Sequence, residues 1–174
     1  MIKRVCGVMA ACSLWAASAM AQGSGMDGSQ LGFFMGRWTV EGLARPGGAG
    51  GFGAASGTET CAWFSGGPSM VCRQTIKDSD SETDSIFILS YDPVRKQYTA
   101  HGTDNTGVVT TLTGTLASGV WRLAGERRGA DGKATPTRYT FREAPGGGRA
   151  MDIEVGGAKG AWTKTVGVTL RRAR

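Results

Sequence analysis

From residue 37 onward the chain alternates short runs rich in Val, Thr, Ile, Tyr, Phe and Trp with clusters of Gly, Pro, Asp and Asn. The clusters recur roughly every 10 to 14 residues, the pattern of an antiparallel meander, sandwich or barrel. About ten strands are predicted, over 37–44, 57–64, 69–77, 85–91, 97–103, 108–117, 120–127, 135–143, 149–155 and 161–171. The joints carry turn chemistry, as in Asp92-Pro93-Val94-Arg95, Asp104-Asn105-Thr106-Gly107 and Ala130-Asp131-Gly132-Lys133. Joints this short imply antiparallel neighbours. No helical pattern of about ten residues lies between strands to act as a parallel crossover, which argues against βαβ units.

Before the first strand, Gln30-Leu31-Gly32-Phe33-Phe34-Met35 forms a dense apolar cluster that Asp27 or Ser29 can cap and Gly36 can end. It is predicted as a turn or two of helix plugging one end of the sheet. Two connections stand out: the Gly/Ala-rich 45–56, predicted as a lid, and the acidic 78–85. The second places Asp78, Asp80, Glu82 and Asp84 at alternate positions but lacks the glycine and closing glutamate of a calcium loop, so it reads as a solvated hairpin tip.

The N-terminus changes the picture. Met1-Ile2-Lys3-Arg4 is basic, Val5 to Ala17 is apolar, and Ala19-Met20-Ala21 fits the small-residue pattern preceding signal cleavage. The apolar run, about 13 residues, is short of the roughly 20 that span a bilayer, so no transmembrane segment is expected. The organisation read from the chain is a signal peptide over 1–21, a linker and plug over 22–36, and one barrel domain over 37–174. Cleavage removes Lys3 and Arg4 and no acid, leaving 18 basic against 14 acidic residues. That mild charge, without an aromatic ladder among the cations, excludes an evident nucleic-acid groove. The 29 glycines punctuate strands rather than forming a low-complexity tract.

Cys6 and Cys12 leave with the leader, so Cys61 and Cys72 remain. One histidine in the whole chain is too little for a zinc site with them, and the spacing is not that of a C-x-x-C redox motif. With Ser65-Gly66-Gly67-Pro68 as a four-residue hairpin loop, Phe64 faces Ser69, Ala62 faces Val71 and Cys61 faces Cys72. Alternation makes 61 and 72 a non-hydrogen-bonded pair, within disulfide range. A structural disulfide is predicted, as suits an exported protein.

Gly36-Arg37-Trp38 at the start of the first strand resembles the opening of the calycin superfamily. The resemblance implies that Trp38 closes one end of the barrel and that Arg171 or Arg172 of the last strand packs over it. The ordered set L-x-F-F-x-G-x-W, C-x-W-F-x-G-G, Tyr91-Asp92-Pro93 with Tyr98, then Asp104-Asn105-x-Gly107, covers about residues 30–172. It is similar to an exported bacterial family of unknown function with a lipocalin-like barrel, which implies fold and compartment without an activity. Nitrobindin-like haem barrels open similarly, but this chain lacks their middle glycine. Its only histidine, His101, lies mid-chain rather than in the C-terminal third, so no cofactor is expected.

For chemistry, His101 is paired with Ile88 across a turn at 93–96 and shares a face with Thr99, Thr103, Ile86 and Ile88. That face is predicted to line a pocket with His101 as polar anchor, joined by Trp63 and Tyr139 as stacking aromatics. A catalytic triad on His101 lacks a G-x-S-x-G elbow. Glu41 with Glu59 and Asp152 with Glu154 are the carboxylate pairs available, the latter sharing a face by alternation, usually the solvated one. The reading is an all-β, up-and-down barrel binding a small, apolar molecule. The alternatives are a filled structural or protein-interaction barrel and an enzyme built on His101.

Overall fold

The computed structural model describes residues 27–45, 51–65, 68–157 and 160–174. In it the chain is a closed barrel of ten antiparallel strands. These are β1 Gly36–Ala44, β2 Gly53–Trp63, β3 Met70–Lys77, β4 Glu82–Asp92, β5 Gln97–Asp104, β6 Val109–Ala117, β7 Val120–Arg128, β8 Ala134–Ala144, β9 Gly148–Gly156 and β10 Trp162–Arg172. Each strand pairs with its sequence neighbours, and β1 pairs with β10 to close the ring. All ten predicted strands are present. The leader over 1–21 lies outside the described residues.

Two boundaries differ from expectation. Strand β2 begins at Gly53, so Gly53 to Ser56 of the predicted lid are ladder residues opposite Ala44 to Glu41. Strand β4 begins at Glu82, so half of the acidic run is strand: Thr75 Oγ1 donates to Asp84 Oδ1 (2.6 Å) across the β3–β4 ladder. The turn itself is only 78–81, held by the Asp78 carboxylate, which accepts from the backbone N–H groups of Asp80 and Ser81. Cross-strand pairing offsets the weak strand propensity of glycine and aspartate.

The plug is a 3₁₀ helix, Gly28–Phe33, capped by Asp27, whose Oδ1 accepts from the Ser29 N–H at 2.8 Å. Six residues with two glycines are too few for a stable α-helix, and the tighter turn is the form short pieces adopt. Two bonds fasten it. Trp38 Nε1 donates to Phe34 O (3.0 Å) and Tyr98 Oη donates to Asp27 O (3.0 Å). Phe34 then packs edge-on against Trp121 and Phe141, with centroids 5.0 and 5.1 Å away.

Alternation divides every strand into an inner and an outer set. Trp121, Leu123, Tyr139, Phe141, Met151 and Ile153 point inward and are buried. The outer set on β8, β9 and β10 is a ladder of ion pairs. Arg138 Nε meets Glu154 at 2.5 Å, and Asp152 is shared by Arg142 (2.7 Å) and Lys164 (2.5 Å). Charges at mid-strand make this a water-facing surface. Asp152 and Glu154 therefore do occupy one outer face, whereas Glu41 points out and Glu59 points in.

Candidate functional site

The ends of the barrel differ. At the plugged end, where β1 starts and β10 finishes, Trp38 is held between two guanidiniums, Arg149 at 4.0 Å and Arg172 at 4.5 Å from its ring centroid. Of the two arginines offered by the last strand, it is Arg172 that covers the indole; Arg171 is the outward-facing neighbour. Gly36 makes room for it. At φ of +121° it adopts a conformation that side chains rarely take, and a Cβ there would collide with the Arg172 guanidinium.

Arg149 is the deeper of the two, 1% exposed, and it pairs with the buried Glu59. Burial pulls its pKa down, while the Glu59 carboxylate beside it pushes the other way. Glu59 also accepts from Gln74 Nε2 at 2.8 Å. Next to this pair, Cys61 and Cys72 form the disulfide, with Cα atoms 4.0 Å apart in the register counted from the hairpin loop. Phe64 N–H donates to Ser69 O (2.8 Å), closing that hairpin. Glu59 Oε1 lies 3.4 Å from Cys61 Sγ, but a bridged sulfur carries no proton to donate and neither sulfur is a free thiolate, so the cluster is not a metal site.

Above this floor of packed aromatics the interior contains a void of about 40 Å³ between Leu89, Leu112, Leu123, Phe141 and Met151. Above that, at the opposite end, a cavity of about 400 Å³ opens at the barrel mouth. Phe87 and Tyr139, with centroids 6.4 Å apart, and Gln74 border both spaces. A Cβ on Gly102 would run into the Phe87 ring, so the glycine is what lets that ring lie against β5.

The mouth cavity is amphipathic. Its apolar wall is Ile76, Phe87, Ile153, Val155 and Val166, and its neutral polar groups include Thr83, Ser85, Thr110 and Thr165. Four charged residues border it: Arg45, Asp78, Asp104 and Arg127. Burial raises the Tyr139 pKa, with Arg127 and the Thr110 hydroxyl acting in the opposite sense, so the phenol holds its proton and remains a donor.

The residues expected to form a pocket are scattered. Tyr139 borders the cavity. His101, Thr99 and Ile88 do not: the inner face of β4 and β5 carries Phe87, Leu89, Tyr98 and Ala100, leaving His101 exposed and Ile88 48% exposed on the outer face. The prediction that this face lines the interior is corrected for these three, while Thr103 of the same face, near the end of β5, borders the cavity. In Ser85 to Tyr91 apolar residues sit on both parities, and the larger Phe87, Leu89 and Tyr91 win the inside. Trp63 ends β2 at the plugged end, away from the mouth, and is 39% exposed. His101 accordingly cannot ligate a group within the barrel, and it stands apart from the mouth.

Sequence reasoning missed Arg127 and Arg149, although both carried a signal. Arg127 has the parity of Trp121 and Leu123, and Arg149 that of Met151, Ile153 and Val155. An arginine in phase with an apolar strand face points inward.

The fold and its cavity define a class: a closed, water-facing antiparallel barrel, sealed at one end by a helix and a stacked tryptophan, open at the other to a small amphipathic space. Comparison of the chain with protein-family models and with curated proteins gives no match.

Proposed function

We propose that this chain is an exported binding barrel of calycin-like type that holds one small molecule in its mouth cavity. The observation carrying the reading is the cavity of about 400 Å³ with an apolar wall and polar rim at one end of an otherwise packed barrel. That size falls in the range of small-molecule sites, and the lining offers an apolar wall for a ligand body beside polar groups that can fix its orientation. The disulfide suits an oxidising compartment, and no described helix is long and apolar enough to cross a membrane. The basic-apolar leader and the G-x-W opening support export and family resemblance in the same direction.

The filled-barrel alternative has an observation of its own, since the plugged half is packed by Trp38, Phe34, Trp121, Tyr98 and Phe141. Native mass spectrometry of protein purified from its own host, followed by extraction, separates the two readings. A retained small molecule released on denaturation is expected. A chain that is ligand-free from its host and takes up no compound from an apolar and amphiphilic panel would sink the proposal.

A further inference from the structure

We infer that the molecule held in the mouth cavity is an anionic amphiphile, its acidic head at the rim on Arg127 and Arg45 and its apolar part directed down to Phe87. This rests on the binding-barrel reading above and adds the chemical class of the ligand.

The inference follows from counting which charged groups at the rim are already satisfied. One oxygen of each carboxylate is. Asp104 Oδ1 accepts from the N–H groups of Thr106 (2.9 Å) and Val108 (3.1 Å) and from the Thr106 hydroxyl, and Asp78 Oδ1 accepts from two backbone N–H groups and the Ser81 hydroxyl. The two guanidiniums are not. Arg127 comes no closer to Asp104 Oδ2 than 3.7 Å, beyond hydrogen-bond range, and its side chain donates to no acceptor among the described residues. Arg45 sits over the Phe52 ring at 4.8 Å, and its Nε too has no acceptor among the described residues. Tyr139 adds a phenol that keeps its proton.

Among the described residues, the buried rim atoms left without a partner are therefore guanidinium donors, although the formal charges of the rim cancel. A carboxylate, which matches the guanidinium fork with two parallel bonds, supplies those donors with acceptors; an ammonium would meet two cations and bring only further donors. Position sets the orientation. Arg45 follows β1 and Arg127 is one residue from the end of β7, both at the open rim, while Ile76, Phe87 and Ile153 form the wall below.

Isothermal titration of the oxidised protein at neutral pH with octanoate, 1-octanol and octylamine tests this. The three probes share a tail and differ in the head, and octanoate is ionised there. Octanoate is expected to bind about tenfold or more tightly than either other probe. Arg127→Met should abolish that preference while leaving octanol affinity within about twofold, and Arg127→Lys should keep part of it. Octanol or octylamine binding the native protein as tightly as octanoate would overturn the anionic head while leaving the binding barrel standing. So would a preference unchanged in Arg127→Met. Failure of all three probes to bind would overturn the anionic-amphiphile inference, and together with a chain that is ligand-free from its host it would remove the binding barrel as well.

Discussion

Arg149 is an unusual residue to find at the bottom of a barrel. It is enclosed by Trp38, Phe34 and Phe33, at 4.0, 5.3 and 5.7 Å from their ring centroids, and its charge is met by Glu59. Its Nε and Nη1 have no acceptor among the described residues, so ring faces stand in for part of the missing hydration. Removing one partner strands the other in a low-dielectric site. Glu59→Ala or Arg149→Met is each expected to cost about 3–5 kcal/mol in urea unfolding, whereas Glu59→Leu combined with Arg149→Met should cost clearly less than the sum. Additive single effects would show that the two residues act separately. At this scale the sequence was legible where parity was unambiguous, as at Trp38, and illegible in β4, where Ile86 and Ile88 compete with Phe87 and Leu89.

The β2–β3 hairpin shows how far local chemistry can be taken. Counting outward from a four-residue loop placed Cys61 opposite Cys72, and the ladder has that register. Sealing this loop of about 12 residues is worth roughly 3 kcal/mol in the chain-entropy picture. Reduction, or Cys61→Ser with Cys72→Ser, should lower urea-unfolding stability by about that amount, and the mass of the native chain should rise by two hydrogens on reduction. An unchanged mass after reduction would contradict the bridge. The β8–β10 ladder makes a smaller contribution. Hydrogen bonding to Arg138 holds the Glu154 pKa below its usual range; for Asp152, burial pushes up, but Lys164 and Arg142 together pull lower. A depressed native pKa adds stability above the ordinary carboxylate value of about 4, and that contribution is lost as pH falls through the native pKa. Carboxylate NMR titration should find both groups below the model-peptide range. For such exposed pairs Arg138→Ala should cost at most about 1 kcal/mol.

For the whole molecule, closure of β1 on β10 separates a packed half from an open half, and Phe87 stands between them. Gly102→Ala would drive a Cβ into the Phe87 ring, which must swing into the cavity or strain the sheet. The expected result is a loss of about 1–3 kcal/mol in stability and weakened binding of octanoate, both of which Phe87→Leu in the same chain should partly restore. Melting curves with and without the probe check it. The alternation and turn residues of this chain determined by themselves the strand count, the antiparallel order and the disulfide register, because each depends on neighbours within about 20 residues. Whether His101 faces the interior, which arginine covers Trp38, and that one end is packed while the other holds a cavity were decided only by closure. Those outcomes depend on which of two strand faces buries more apolar area once ten strands share one core, a comparison across the whole chain.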